Sequence, residues 1–334
     1  MRLAVAAAAA AAVAAVYHIR RRARRAPPPC LDSVAAKQLL AQVDLVCFDC
    51  DGVLWYGDEA IAGAADCISA VLRAGKRAVF MTNNSSESRA TLLKKFHRLG
   101  FTDVTADMIY SSGYATALYL RDRVPKGTRV FAVGADGLVD ELRAVGLEVE
   151  GGCTYARGKA NKTVAETCEE LRQLDDTRVS TVVTGFNAFF NYFTLSRAAR
   201  ILQRPGTHFI ATNDDRVSPK PGGDAPLMLP GGGTPMAALA HAVSRDYVLI
   251  GKPSQFALDA ILSEHPGVSR ARTLMVGDRL DTDVAFGVAG GLRTLLVFSG
   301  CTSREKLAME AEWLPDVTAE SVAVFSMTEQ SKVK

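Results

Sequence analysis

From about residue 31 onward, short apolar runs alternate with stretches of helical periodicity. Residues 45–48, Leu-Val-Cys-Phe, read as a buried strand. Residues 60–74 have apolar positions at helical spacing and stop at Gly75; residues 77–81 form a second apolar strand. Residues 87–99 read as a helix with Ser86 as its cap and Gly100 as its stop. The alternation returns late in the chain, with strands at 248–250, 274–276 and 293–297 and helical patterns at 255–262 and near 283–289. Strand-helix alternation of this kind predicts an α/β fold around a parallel sheet. At 334 residues the chain exceeds what one core normally supports, so two lobes are expected.

The polar residues interrupting this pattern gather where strands end. The first strand runs into Asp49, Cys50, Asp51 and Gly52. Ligands of open α/β sheets bind beyond the carboxyl ends of the strands, so acids placed there meet substrate. The second strand runs into Thr82-Asn83-Asn84-Ser85-Ser86, whose hydroxyls and amides suit an anion, although the same run serves equally as cap and turn. The strand at 248–250 ends in Gly251-Lys252-Pro253-Ser254. The strand at 274–276 ends in Gly277-Asp278-Arg279-Leu280-Asp281-Thr282-Asp283, where Asp278 is the ligand candidate and Asp281 or Asp283 caps the following helix.

Acids, anion-holding amides, a lysine and further acids together are the parts of a magnesium-assisted phosphoryl transfer. Crowded carboxylates repel unless a hard cation joins them, and Mg²⁺ suits an all-oxygen donor set. Asp49 is then the nucleophile, since an ionised carboxylate needs no activating base. Asp51 is the acid that protonates the leaving alkoxide and the base that later activates water. Thr82, Asn83, Asn84 and Lys252 hold the phosphate, and Asp49, Asp51 and Asp278 hold the metal.

Charge and cysteines narrow the setting. The net charge of +3 comes from the head of the chain, because six arginines lie in residues 1–30; the remainder has 33 bases against 36 acids. Such a body offers no basic nucleic-acid surface. The head joins an Ala/Val-rich stretch at 3–17 to five arginines between positions 20 and 25. It is too short to span a bilayer comfortably and reads either as a targeting segment or as a short cytosol-facing anchor. Membrane contact is expected only through residues 1–25. Seven cysteines with no framework spacing indicate a reducing, intracellular compartment, with the cytoplasm as default and the mitochondrion or another organelle as the alternative that the head allows. Cys47 and Cys50 form a nominal C-x-x-C, but at a strand end they face opposite sides and are structural. The five histidines share no ligand spacing.

The strings Asp49-x-Asp51-Gly-Val, Thr82-Asn83-Asn84-Ser85, Gly251-Lys252-Pro253-Ser254 and Gly277 to Asp283 resemble, in order and separation, the four motifs of the haloacid dehalogenase superfamily. The fuller strings resemble its 4-nitrophenylphosphatase branch, which includes phosphoglycolate and pyridoxal phosphate phosphatases. The resemblance covers residues 31 to about 325. It implies a Rossmann-like core at 31–124 and 247–334, an inserted α/β cap at 125–246, and a homodimer formed through the cap. It also implies that Asp51 reaches the metal through its backbone carbonyl, and that Asn213 and Asp215, within Thr212-Asn213-Asp214-Asp215, face the substrate from the cap.

The implied activity is Mg²⁺-dependent hydrolysis of a small phosphorylated metabolite, 2-phosphoglycolate first and pyridoxal 5′-phosphate second. A non-catalytic dimeric scaffold and a hydrolytic dehalogenase are the competing classes, and the complete set of acids argues against both. Two departures stand out. Asn187 occupies a position where the family commonly has an acid, and residues 217–230, rich in Pro and Gly, read as a loop. The glycines 231–233 read as a turn rather than a phosphate cradle.

Overall fold

The computed structural model describes residues 27–220, 227–310 and 312–326. The targeting or anchoring segment therefore falls almost entirely outside the described residues. No helix among the described residues is long and apolar enough to cross a membrane. The described residues form two compact units: the first takes those up to residue 81, residues 96–108 and those from 261 on; the second takes residues 82–95 and those between 109 and 260.

In the first unit, five parallel strands lie in the order Val317–Ala319, Arg293–Val297, Thr273–Gly277, Leu45–Phe48 and Arg77–Thr82. Leu45–Phe48 is central, pairing with Thr273–Gly277 on one side and Arg77–Thr82 on the other. All four of its residues are buried, which is why it reads as an unbroken apolar run rather than an alternating one. An aromatic cluster packs around it: the rings of Phe80 and Phe96 lie 4.7 Å apart, and Trp55 meets Phe96 edge-on at 4.8 Å.

Several boundaries differ from the sequence expectation, each for a local reason. The helix expected over 60–74 occupies Ala64–Arg73, because Glu59–Ala60 pairs antiparallel with Trp55–Tyr56 and Gly63 turns the chain at φ +77°. Strands of two residues carry no period-two signal. The helix expected at 87–99 runs Arg89–Arg98, and Ser88 rather than Ser86 faces its first turn, accepting from the Thr91 amide at 3.4 Å. A helix at Ser33–Ala41, capped by the Asp32 carboxylate, had no strong periodic signal.

The second unit holds its own parallel sheet in the order Val248–Leu249, His208–Ala211, Val179–Thr184, Arg129–Val133 and Glu148–Gly151. The strand leading to Gly251 and Lys252 is thus the edge of this second sheet and not a member of the first. Phe131, Val182, Ile201, Phe209 and Leu239 form its core. Residues 217–230, expected as loop, include the strands Val217–Lys220 and Leu227–Pro230 paired antiparallel, with Val217 opposite Pro230. A two-stranded ribbon leaves one side of each strand without ladder bonds, which is where proline is tolerated. Leu227, Met228 and Leu229 are exposed on it.

Arg197 is buried in this unit to 2 % side-chain exposure. Its guanidinium donates to Asp176 at 2.8 Å, to Glu150 and the Tyr155 hydroxyl at 2.6 Å each, and lies 4.5 Å from the Phe131 ring centroid. Removing one member of such a buried pair leaves an uncompensated charge. Arg197→Met should cost about 3–5 kcal/mol, read as a lowered urea midpoint. An unchanged midpoint would mean that Arg200, which also pairs with Asp176, carries the charge alone.

Candidate active site

Neighbouring parallel strands bring two acids together. The Asp49 amide continues the ladder by donating to the Val276 carbonyl at 2.8 Å, and Asp278 follows Thr273–Gly277, the strand beside it. Residues Leu280–Val284 form a single π turn that folds Asp283 back toward the strand end, where its Oδ2 accepts from the amides of Asp278 (3.2 Å) and Arg279 (3.1 Å). Carboxylate oxygens of Asp49, Asp278 and Asp283 all lie within 4.8 Å of one another, and all three residues are buried. Like charges at that separation oppose one another by roughly 3–4 kcal/mol per pair in a protein-like dielectric.

Asp278 shows the strain of this arrangement. Its Oδ2 accepts from the Cys301 amide at 2.6 Å, while Oδ1 is buried with no hydrogen-bond partner. Burial, and after it the Asp283 charge, pushes the Asp278 carboxyl up to about 6. Glycines leave the room around it: a Cβ on Gly52, which has φ +82°, or on Gly300 would collide with the Asp278 carboxylate, and one on Gly277 with Asp283. A compact set of buried carboxylates with one oxygen unpartnered fits a small hard cation. Asp51 is oriented differently. Its carboxylate is exposed, and its Oδ1 accepts from the Trp55 indole at 3.0 Å, so its side chain stands outside the three-acid cluster.

The remaining candidates belong to the second unit. Thr82 is buried, and its Oγ1 accepts from the Asn84 amide at 3.0 Å. The Asn84 Oδ1 in turn accepts from the Ser86 amide at 2.8 Å, so this polar run is a succession of tight side-chain turns. Asn83 clamps the backbone of Lys252 from both sides, donating to its carbonyl at 3.1 Å and accepting from its amide at 2.9 Å. Gly251 fits beneath this clamp, where a Cβ would meet the Asn83 side chain and the Thr212 carbonyl. Lys252 is 3 % exposed.

Asn213 is buried, with its amide donating to Asp215 Oδ2 at 2.7 Å and its carbonyl accepting from the Thr212 hydroxyl at 2.9 Å. Glycines 231–233 pack directly on this segment: side chains there would strike Asp215, Asn213 and Asp214 in turn, which makes the triple glycine a matter of backbone approach. Asn187 is an internal brace. It donates to the Gly134 carbonyl at 2.9 Å and accepts from the Phe189 amide at 2.8 Å.

Asp283, which the sequence offered with Asp281 as a cap of the following helix, stands instead as the third acid of this cluster. Its only signal is the five-residue interval from Asp278, which becomes meaningful once a π turn spans it. Gly300 and Cys301, which shape and hold Asp278, carry no motif of their own.

A family model for haloacid dehalogenase-like hydrolases matches residues 46–148, and a second model of the same group matches residues 249–324. The chain belongs to the haloacid dehalogenase-like hydrolases. Phosphoglycolate phosphatase 2 of Arabidopsis thaliana is 38 % identical over 83 % of this chain and 90 % of its own length. The glycerol-3-phosphate phosphatase of Gallus gallus is 36 % identical over 88 % of this chain and 94 % of its own. Among solved structures, the 4-nitrophenylphosphatase of Thermotoga maritima superposes with a TM-score of 0.72 at 30 % identity, covering 87 % of this chain and 99 % of that one. The glycerol phosphate phosphatase of Mycobacterium tuberculosis, solved in complex with magnesium, gives 0.70 at 27 % identity, covering 86 % and 77 %. This family member is a phosphoric monoester hydrolase of mixed α/β architecture, with the cap insertion expected of its branch.

Proposed function

We propose that this phosphatase hydrolyses 2-phosphoglycolate, or a small phosphate monoester close to it, through an aspartyl-phosphate on Asp49. The observation that carries the reading is the buried group Asp49, Asp278 and Asp283 with the unpartnered Oδ1 of Asp278. Those three carboxylates, with the Asp51 backbone carbonyl, would hold Mg²⁺. Bound there, Mg²⁺ offsets the charge of the acids and of the phosphate oxygens. An Asp49 oxygen bonds to phosphorus as the bond to the leaving oxygen breaks, and the Asp51 carboxyl passes its proton to that oxygen. Asp51 then takes a proton from the attacking water, and the released electron pair returns to Asp49. Thr82, Asn83, Asn84 and Lys252 keep the phosphate-holding roles that their motifs imply, and Asn213 and Asp215 the substrate-facing role.

The identity to a phosphoglycolate phosphatase supports this substrate, and the similar identity to a glycerol-3-phosphate phosphatase supplies its nearest competitor. A kcat/KM comparison across 2-phosphoglycolate, glycerol 3-phosphate, pyridoxal 5′-phosphate and phosphotyrosine, with magnesium and with chelator, separates them. We expect 2-phosphoglycolate to lead by at least about tenfold, or ~1.4 kcal/mol of transition-state binding, and chelator to abolish turnover. A flat profile overturns the substrate, and full activity in chelator overturns the metal.

A further inference from the structure

We propose that the Trp55 indole is a positioning residue that aims the Asp51 carboxyl at the leaving oxygen. The inference rests on the reading of Asp51 as the general acid. Asp51 is exposed, and an exposed aspartate ordinarily samples its rotamers. Here a buried donor selects one of them: Trp55 is 1 % exposed, and its Nε1 lies 3.0 Å from Asp51 Oδ1.

The indole itself is held on two sides. Phe96 meets it edge-on at 4.8 Å and 77°, and Phe101 at 6.1 Å and 74°. The backbone joining the two residues is a closed loop, with the Gly52 amide donating to the Trp55 carbonyl at 2.7 Å and the Leu54 amide to the Cys50 carbonyl at 2.8 Å. Trp55 also pairs with Ala60 in the short hairpin. The loop thus fixes the backbone of both residues, and the ring cannot turn without opening the aromatic packing.

Indole nitrogen only donates. A donor fixed on Oδ1 keeps that oxygen as an acceptor and confines the transferable proton to Oδ2. In the first step the phosphorus-oxygen bond to the leaving group breaks, its electron pair stays on the leaving oxygen, and the Oδ2 proton joins that oxygen. An alkoxide needs this proton, whereas 4-nitrophenolate leaves as a stable anion without it. Loss of the indole N–H should therefore discriminate between leaving groups, which loss of general stability would not.

The test is single-turnover release of the leaving group at saturating magnesium, with 2-phosphoglycolate and 4-nitrophenyl phosphate compared in each variant. Trp55→Phe is expected to slow glycolate release by about 10- to 100-fold with KM little changed, and 4-nitrophenolate release by less than about threefold. Replacing Trp55 with 3-benzothienylalanine, which keeps the ring's shape and has no N–H, should reproduce that split should phenylalanine fail to fold. Phe96→Leu disturbs the same packing with the N–H retained; it should lower Tm and leave the ratio of the two rates unchanged. Equal losses on both substrates, no loss on either, or a ratio shifted by Phe96→Leu as much as by Trp55→Phe overturns the proposal. Asp51→Asn tells its failure from that of the underlying reading: if that variant also treats the two leaving groups alike, Asp51 is not the acid.

Discussion

Asp49→Asn should abolish steady-state turnover, by about four to six orders of magnitude, and should give no burst of 4-nitrophenolate on mixing with 4-nitrophenyl phosphate. The burst reports the chemical step directly, because the first leaving group departs as the enzyme is phosphorylated. Asp51→Asn is the matched control. It should retain a burst with this substrate, whose leaving group needs no proton, and then stall, because no base is left to activate the water. The contrast separates nucleophile from acid by kinetics alone. A correctly folded Asp49→Asn protein that still hydrolyses 4-nitrophenyl phosphate in magnesium would remove Asp49 from its role.

The second large effect is on stability. Asp278 has its carboxyl raised from 3.8 to about 6 by burial and by Asp283. An acid raised on folding favours its neutral form in the folded state. Its contribution is therefore fully present below about pH 4 and lost as pH climbs through about 6. Without divalent cation, the difference in Tm between the wild type and Asp278→Asn should move against the wild type between pH 4 and 7. The full swing is on the order of 2–3 kcal/mol, or several degrees. Magnesium should reverse it, raising the wild-type Tm more at pH 7.5 than at pH 5 and leaving Asp278→Asn nearly unmoved. A pH-independent difference between the two proteins would show that the three acids do not share a charge problem.

Both predictions depend on residues legible in the sequence to different degrees. Leu45–Phe48 announced itself as a central strand because burial on both faces leaves no polar position in it. Asp49 and Asp278 followed from their places at strand ends, and the parallel register that makes them neighbours is the ordinary consequence of strand-helix alternation. Asp283 was hidden because a π turn is not a periodic feature. The Trp55–Tyr56 hairpin and the strand Val248–Leu249 were too short for pattern to declare their partners, so the sheet to which the lysine motif attaches could not be read from the chain. Asn83, grouped with Thr82 and Asn84 by its motif, also bonds the backbone of a residue 169 positions away, a relation that no local signal encodes.

That pairing also governs the course of the chain. Since Asn83 and Lys252 are joined amide to amide, the chain departs and returns at adjoining atoms. Two segments far apart in the chain are thereby tied to one knot, and the peptide groups of residue 252 keep their seat through a single side chain.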